Sequence, residues 1–197
     1  MTGKGIYKVL AGLFGASLVL AVPAVAGART VAHPTTASAP RAAAKKHHVA
    51  FSASYRGTAT LVIVNNGSSG SATIHNAKGT GAASVIHAGS FKQLGAAKAP
   101  SFGQQGAKYC SAFSGEALLT GTKGTLTVKV LAGSEVCSNT DSGVATAQVE
   151  KGRVELVKGT RALKGAKGTL AFTGKLVTNK AETSGSFSLV LKGTVTL

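Results

Sequence analysis

The segment SFSLVLKGTVTL, residues 186–197, alternates apolar and polar side chains. Phe187, Leu189 and Leu191 occupy every second position, and serine, threonine and lysine hold most of the positions between. Successive side chains of a β-strand point to opposite faces, so this spacing predicts a strand with one buried face and one wet face.

The same spacing recurs through the chain from Val49 onward, for example in GTLTVKVL, residues 124–131, and GTLAFTGKL, residues 168–176. No stretch keeps the spacing of an amphipathic helix. About eight strands are predicted, at residues 55–64, 71–78, 83–93, 109–120, 124–131, 143–157, 167–178 and 184–196. Short strands without helices predict an all-β domain, a single antiparallel barrel with a β-sandwich as the alternative.

Turn chemistry and one change of phase divide these runs. Asn65-Asn66-Gly67 can supply the positive φ angles of a tight hairpin, and residues 120–124 are a second turn candidate. In the sixth run the apolar positions change parity near Lys151-Gly152, which predicts a β-bulge or a turn there.

The N-terminus has a different composition. Lys4 and Lys8 precede a charge-free apolar run over residues 9–22, and small residues at 24–26 suit cleavage before Gly27. This arrangement predicts a secretory signal peptide over residues 1–26, with an uncleaved membrane anchor as the alternative. After cleavage no transmembrane span is expected, and the protein is expected to be secreted or associated with the cell envelope.

Residues 27–48 contain Ala, Pro, Thr and basic residues without an apolar period. Such a segment buries too little apolar surface to offset its ordering entropy, so a flexible linker is predicted. Residues 49–197 are then the β-domain.

Its two cysteines, Cys110 and Cys137, are predicted to form a disulfide, because export implies an oxidising compartment and a hairpin turning near Thr122 brings both together. The alternative is a pair of free thiols.

The segment VKGTRALKGAKGTLAFTGKL, residues 157–176, is rich in glycine and lysine. It lacks the Gly-Lys-Ser/Thr ending of a phosphate-binding loop, so its glycines are interpreted as structural turn residues, Gly159, Gly165 and Gly168 above all. Lys164 to Lys167 is predicted to be the turn that leads into the next strand, with Leu163 folded back as a plug at the end of the barrel.

With residues 185–197, this segment resembles the C-terminal half of small secreted bacterial β-barrel proteins, which are similar to the allene oxide cyclase and dirigent class. That class has a Gly-Thr-Gly turn and a Gly-x-x-Gly-x-x-Gly stretch before a strand. Arg161 stands where the third residue of the turn is usually Gly. The resemblance implies a fold and carries no catalytic residue. The matching positions are Gly159, Thr160, Gly165, Gly168, Thr169, Gly174, Gly185 and Gly193.

No catalytic motif is present, and neither a cofactor nor a metal site is predicted. A Ser-His-Asp set would have to use His75 or His87. His87 shares parity with Val85 and Phe91 and is the candidate polar residue of the interior. Glu116, Glu150 and Glu155 lie among polar or basic neighbours, as solvent-facing residues do.

The chain carries 22 basic residues against 6 acids, which leaves the exported part strongly cationic. Nonspecific affinity for anionic polymers of the envelope is therefore expected, whereas specific nucleic-acid binding is not, because aromatics are scarce. The favoured hypothesis is a noncatalytic secreted barrel at or near the envelope. The alternatives are a cyclase- or dirigent-like enzyme or small hydrophobic ligand carrier, and, less supported, an outer-membrane barrel. A packed interior favours a structural module and a cavity favours a ligand site. No oligomeric state is predicted.

Overall fold

A computed structural model describes residues 46–66, 69–139 and 146–197. The predicted signal peptide and most of the predicted linker lie outside these residues. Within them, no helix has the length and apolar character needed to cross a membrane. The strands are His48–Asn66 (β1), Ser69–Ala83 (β2), His87–Gln105 (β3), Lys108–Ala112 (β4), Ser114–Gly121 (β5), Gly124–Val130 (β6), Glu135–Asn139 (β7), Thr146–Gly159 (β8), Thr169–Thr178 (β9) and Ser184–Thr196 (β10).

The strands form one antiparallel sheet that closes on itself. Its order is β2-β1-β10-β9-β8-β6-β5-β3, and β3 pairs again with β2, which completes a ring of eight strands. The ring joins the two ends of the described chain, because β1 pairs with β10 from His48–Thr196 to Thr60–Ser184. The predicted all-β class is confirmed, and a closed ring of eight satisfies both the barrel and the sandwich form of that prediction.

The short strands β4 and β7 provide a second route around part of the ring. Strand β3 pairs first with β5, and then with β4 through Gly103–Gln105. Strand β8 likewise pairs with β7 near its start and with β6 near its end. Because β4 pairs with β7 and β5 with β6, the wall keeps eight strands at both ends.

The disulfide prediction is confirmed. Cys110 on β4 lies directly opposite Cys137 on β7, and the two sulfurs are bonded. The covalent link therefore joins the two short strands of the second route.

Alternation of buried and exposed positions builds the core as predicted. In β10, Leu191 and Val195 are buried while Lys192 and Thr194 are exposed. The phase change in β8 is also confirmed, because its register with β9 shifts between Val149 and Gly152. Large side chains fill one end of the ring, called the closed end here: Phe51, Ile86, Leu126, Leu163, Leu170 and Val195.

Glycines allow strands to approach each other near the closed end. Gly81, Gly89 and Gly121 are paired in a row across β2, β3 and β5. A Cβ atom added to Gly89 would lie 1.7 Å from the carbonyl oxygen of Thr120, far inside van der Waals contact. These glycines therefore serve the close approach of neighbouring backbones.

The segment between β8 and β9 forms the predicted turn. Arg161–Leu163 is a single turn of 3-10 helix, and Leu163 is 2% exposed within the core, which agrees with its predicted role as a plug. Gly165 has a φ of +83° and Gly168 a φ of +155°. Gly159 packs tightly against this turn: a Cβ at that position would lie only 1.9 Å from the carbonyl oxygen of Leu163.

Candidate ligand-binding cavity

A cavity of about 720 Å³ occupies the ring beyond the packed closed end. All ten strands contribute to its walls, and its volume lies within the range of small-molecule sites, about 300–1,000 Å³. It extends to the opposite end of the ring, called the mouth here, where Ile63, Phe102, Tyr109 and Thr178 lie close to the ends of their strands.

The cavity exists because the inward positions change in size along the ring. Near the mouth, many are occupied by the smallest residues: Gly70, Ala72, Ala97, Gly115, Ala147 and Gly174. At the closed end the equivalent positions hold Phe, Ile and Leu, which fill the space. An eight-stranded ring is just wide enough for side chains to fill it, so small inward residues leave room for a ligand.

Aromatic rings line two parts of the wall. Phe91 and Phe187 have ring centroids 5.3 Å apart, and Phe91 also contacts Tyr55 at 6.0 Å. Phe113 and Phe172 form another pair at 6.4 Å. Phe91, Phe113 and Phe187 are only partly buried, so their faces remain available to a molecule in the cavity.

The one buried amide of the described wall is fully used by the protein. Gln93 is 8% exposed. Its Nε2 donates to the carbonyls of Ile74 and Gly95, and its Oε1 accepts from the backbone N–H of Ala77. These hydrogen bonds stabilise the backbone where the register between β2 and β3 shifts. Gln93 is therefore a structural residue rather than a free ligand contact.

Tyr55 lies beneath the aromatic wall and is 1% exposed. Its hydroxyl is buried without a hydrogen-bond partner among the described residues. Burial disfavours the phenolate and raises the pKa of Tyr55 from 10.0 to about 12. The hydroxyl is therefore neutral at physiological pH.

The charged residues of the lining belong to the mouth or the outer surface. The Glu116 side chain is 44% exposed and its carboxylate lies 3.8 Å from Lys129 Nζ. Lys175 is exposed, and Glu182 lies in the turn between β9 and β10. Glu150, which is outside the lining, pairs with Lys108. The deep part of the described wall is thus apolar.

His87 does not face the interior, so that prediction is wrong. It is the first residue of β3, is exposed, and has a φ of +64°. A left-handed backbone at this position turns the side chain off the inward row that Gly89 and Phe91 continue. The described residues contain no group of His, Cys, Asp and Glu suited to hold a metal ion.

No protein-family model, no curated protein and no solved structure matches this chain. The resemblance to the allene oxide cyclase and dirigent class accordingly stays a prediction that rests on the glycine and threonine pattern of residues 157–197.

Proposed function

We propose that this protein is an exported, noncatalytic binding protein that holds a small apolar molecule inside its strand ring. The observation that supports the proposal is the 720 Å³ cavity with an apolar wall. A purely structural module gains stability from a filled interior, and each unfilled volume costs packing energy. The void therefore favours the carrier hypothesis over the structural module. The charge-free apolar run near the N-terminus supports export.

The chemistry of the walls defines the ligand class. The depth of the cavity offers aliphatic and aromatic contacts such as Leu189, Val149 and Phe91, without a charged partner for an ionised group. Polar side chains occur closer to the mouth, at Ser71, Ser138 and Tyr109. A molecule with an uncharged apolar body and a polar end directed to the mouth suits this distribution.

Titration with the neutral dye Nile red tests the proposal, because its fluorescence rises in an apolar site and its lack of charge separates cavity binding from attraction to the basic surface. We expect saturable binding of one dye per protein that a long-chain fatty alcohol displaces and that salt leaves unchanged. Fluorescence that rises without saturation, or that a fatty alcohol does not reduce, would contradict a defined cavity site.

Gly174→Phe locates that site. A Cβ at Gly174 would be 3.4 Å from the Ser188 carbonyl oxygen and 3.7 Å from Leu189 Cδ1, both ordinary contacts. Gly174 and Leu189 both line the cavity. The substituted ring therefore takes the ligand's space without backbone strain. We expect a loss of Nile red affinity of tenfold or more with an unchanged melting temperature.

The matched control is Thr173→Phe, which adds an aromatic ring at an exposed position next to Gly174 in β9. This variant should bind Nile red as the unmodified protein does. Equal binding by Gly174→Phe and the unmodified protein would place the dye outside the cavity and overturn the proposal.

A further inference from the structure

Charge is unevenly distributed around the ring. All carboxylates of the described strands belong to β5, β7 and β8, whereas β9, β10, β1, β2 and β3 contain none. These five strands are consecutive neighbours in the ring. Their outer surface is called the acid-free face here. Its exposed basic residues are Arg56, Lys78, Lys92, Lys98, Lys175 and Lys192.

Among the residues that the structure describes, none of these cations forms an ion pair with a carboxylate. The ion pairs of the described residues, Lys108–Glu150 and Lys129–Glu116, lie on other strands. Carboxylates lie at the edges of this face. Glu182 is in the turn between β9 and β10. Glu116 on β5 pairs with Leu94 of β3 and is therefore diagonal to Lys92, and its carboxylate lies 3.8 Å from Lys129 Nζ. Within the described residues, the cations of this face therefore remain outside ion pairs, and carboxylates approach only its edges.

Strand register arranges four of these cations as a basic stripe. Lys78 and Lys92 lie directly opposite each other on β2 and β3, although like charges in that position repel. Arg56 on β1 is diagonal to Lys78, because its own partner on β2 is Thr80. Lys175 on β9 follows across β10, since Lys175 and Arg56 both pair with Ser188.

We propose that the basic stripe, Lys175, Arg56, Lys78 and Lys92, binds a flexible linear polyanion. Neighbouring strands lie about 4.8 Å apart, so the stripe runs about 19 Å across the wall. Exposed hydroxyls of Thr58, Thr80 and Ser188 lie between the cations and can donate to phosphate or carboxylate oxygens. The surface thus combines charge with hydrogen-bond donors along one path.

The curvature of the ring favours a flexible polymer over a flat membrane. Five of the eight ring strands carry the acid-free face, so its cations point in directions that diverge around the wall. A planar anionic surface meets only part of them, whereas a flexible chain follows the curve. The aromatic side chains of these strands point inward, so the face has no stacking platform for bases.

Binding of inorganic polyphosphate at two salt concentrations tests the proposal in the full-length exported protein. The stripe variant is the triple change Arg56→Gln, Lys78→Gln, Lys92→Gln. The control triple, Lys123→Gln, Lys158→Gln, Lys164→Gln, removes the same charge from exposed positions on other elements. We expect the stripe variant to lose affinity at least tenfold and its salt slope to fall by about 2–3, since each phosphate contact contributes about 0.7–0.9.

The control triple should lose less than about threefold in affinity, the effect of net charge alone. Equal losses in both triples would mean that binding reports net charge and not the stripe, which overturns the proposal. Tighter binding to anionic phospholipid vesicles than to polyphosphate at the same salt would assign the face to a membrane instead. Neither result bears on the cavity, because Nile red binding is measured separately.

Discussion

The single residues that shape this interior act through the size and direction of their side chains more than through chemical reactivity. Gly174 and Ala97 matter because they leave space, and Leu163 matters because it fills space. Tyr55 differs, since its hydroxyl lies in the apolar interior and has no hydrogen-bond partner among the described residues. An unpartnered hydroxyl in an apolar site costs stability, which makes Tyr55 a test of how the interior is solvated.

We predict that Tyr55→Phe stabilises the protein by about 1 kcal/mol at neutral pH, because it removes an unpaired buried hydroxyl and keeps the ring contact with Phe91. The pH dependence adds a second signature. In the unfolded chain the hydroxyl ionises near pH 10, whereas burial keeps it protonated to about 12 in the folded protein. The folded state then binds more protons in this window, so stability falls as pH rises from 10 towards 12.

Chemical denaturation at pH 7 and at a series of pH values from 9 to 12 checks both parts. Because the two proteins share every other ionisable group, the difference between the unmodified protein and Tyr55→Phe isolates the tyrosine. The gap between them should widen with pH. A variant that is less stable at pH 7 would show that the hydroxyl has a partner that stabilises it.

At the scale of elements, variants of the turn between β8 and β9 distinguish the contribution of backbone conformation to stability from that of side-chain charge. Gly168→Val should destabilise by about 2 kcal/mol or more, because it combines a positive φ with a Cβ only 2.6 Å from the carbonyl oxygen of Thr194. Gly165→Val should cost about 1 kcal/mol, because the φ is positive but the space is open. Thermal melts rank the two.

The lysines beside these glycines are the controls. Lys164 and Lys167 are exposed, so Lys164→Ala and Lys167→Ala should change stability by less than about 0.5 kcal/mol. Large losses of stability in the lysine variants, together with unchanged glycine variants, would show that this turn depends on charge rather than on backbone conformation.

The disulfide is expected to determine how stably β4 and β7 remain paired with the rest of the ring. The bridged cysteines are 27 residues apart, and on the chain-entropy model such a link contributes roughly 3.5 kcal/mol. We predict that the double variant Cys110→Ala, Cys137→Ala loses about that much stability. Amide exchange should rise most in β4 and β7, because β4 pairs with β3 over only Gly103–Gln105. Equal increases in β5 and β6 would contradict this local role.

The sequence predicted elements well where one strand alternates without interruption, as in β10, whose bounds of 184–196 match the structure. It failed where pairing rather than pattern determines the strand. Residues 94–105 contain Ala, Gly and Pro and were not predicted as a strand, yet they extend β3 because β2 and β4 pair with them. The short strand β7 was also missed. It pairs with the next strand, β8, and with β4, from which β5 and β6 separate it in sequence.

At the scale of the whole molecule, the cavity and the acid-free face share one cause. Both arise because ring closure places β1 beside β10, so that distant parts of the chain share a wall. Parity predicts which side chains point inward, but the register between strands decides where small ones meet. Likewise, the absence of acids in residues 46–115 is visible in the sequence, whereas its continuation over β10 and β9 appears only in the closed ring.

Ring closure also predicts that the described domain tolerates a change of connectivity. The backbones of His47 and Leu197 are hydrogen-bonded to each other, with N···O distances of 3.2 and 2.9 Å. A short Gly/Ser linker from Leu197 to Lys46 therefore fits without displacing β1 or β10. New ends between Thr122 and Lys123 fall in the exposed turn that joins β5 and β6.

We expect this circular permutant of residues 46–197 to melt cooperatively and to bind Nile red with unchanged stoichiometry, because every strand pair of the ring is retained. As the control, a permutant opened between Val190 and Leu191 interrupts β10, which pairs with β1 on one side and with β9 on the other. That variant should not fold cooperatively. Far-UV circular dichroism melts compare the two. If the permutant opened at Thr122 failed to fold while the one opened in β10 folded, closure through β1 and β10 would not be what holds the ring together.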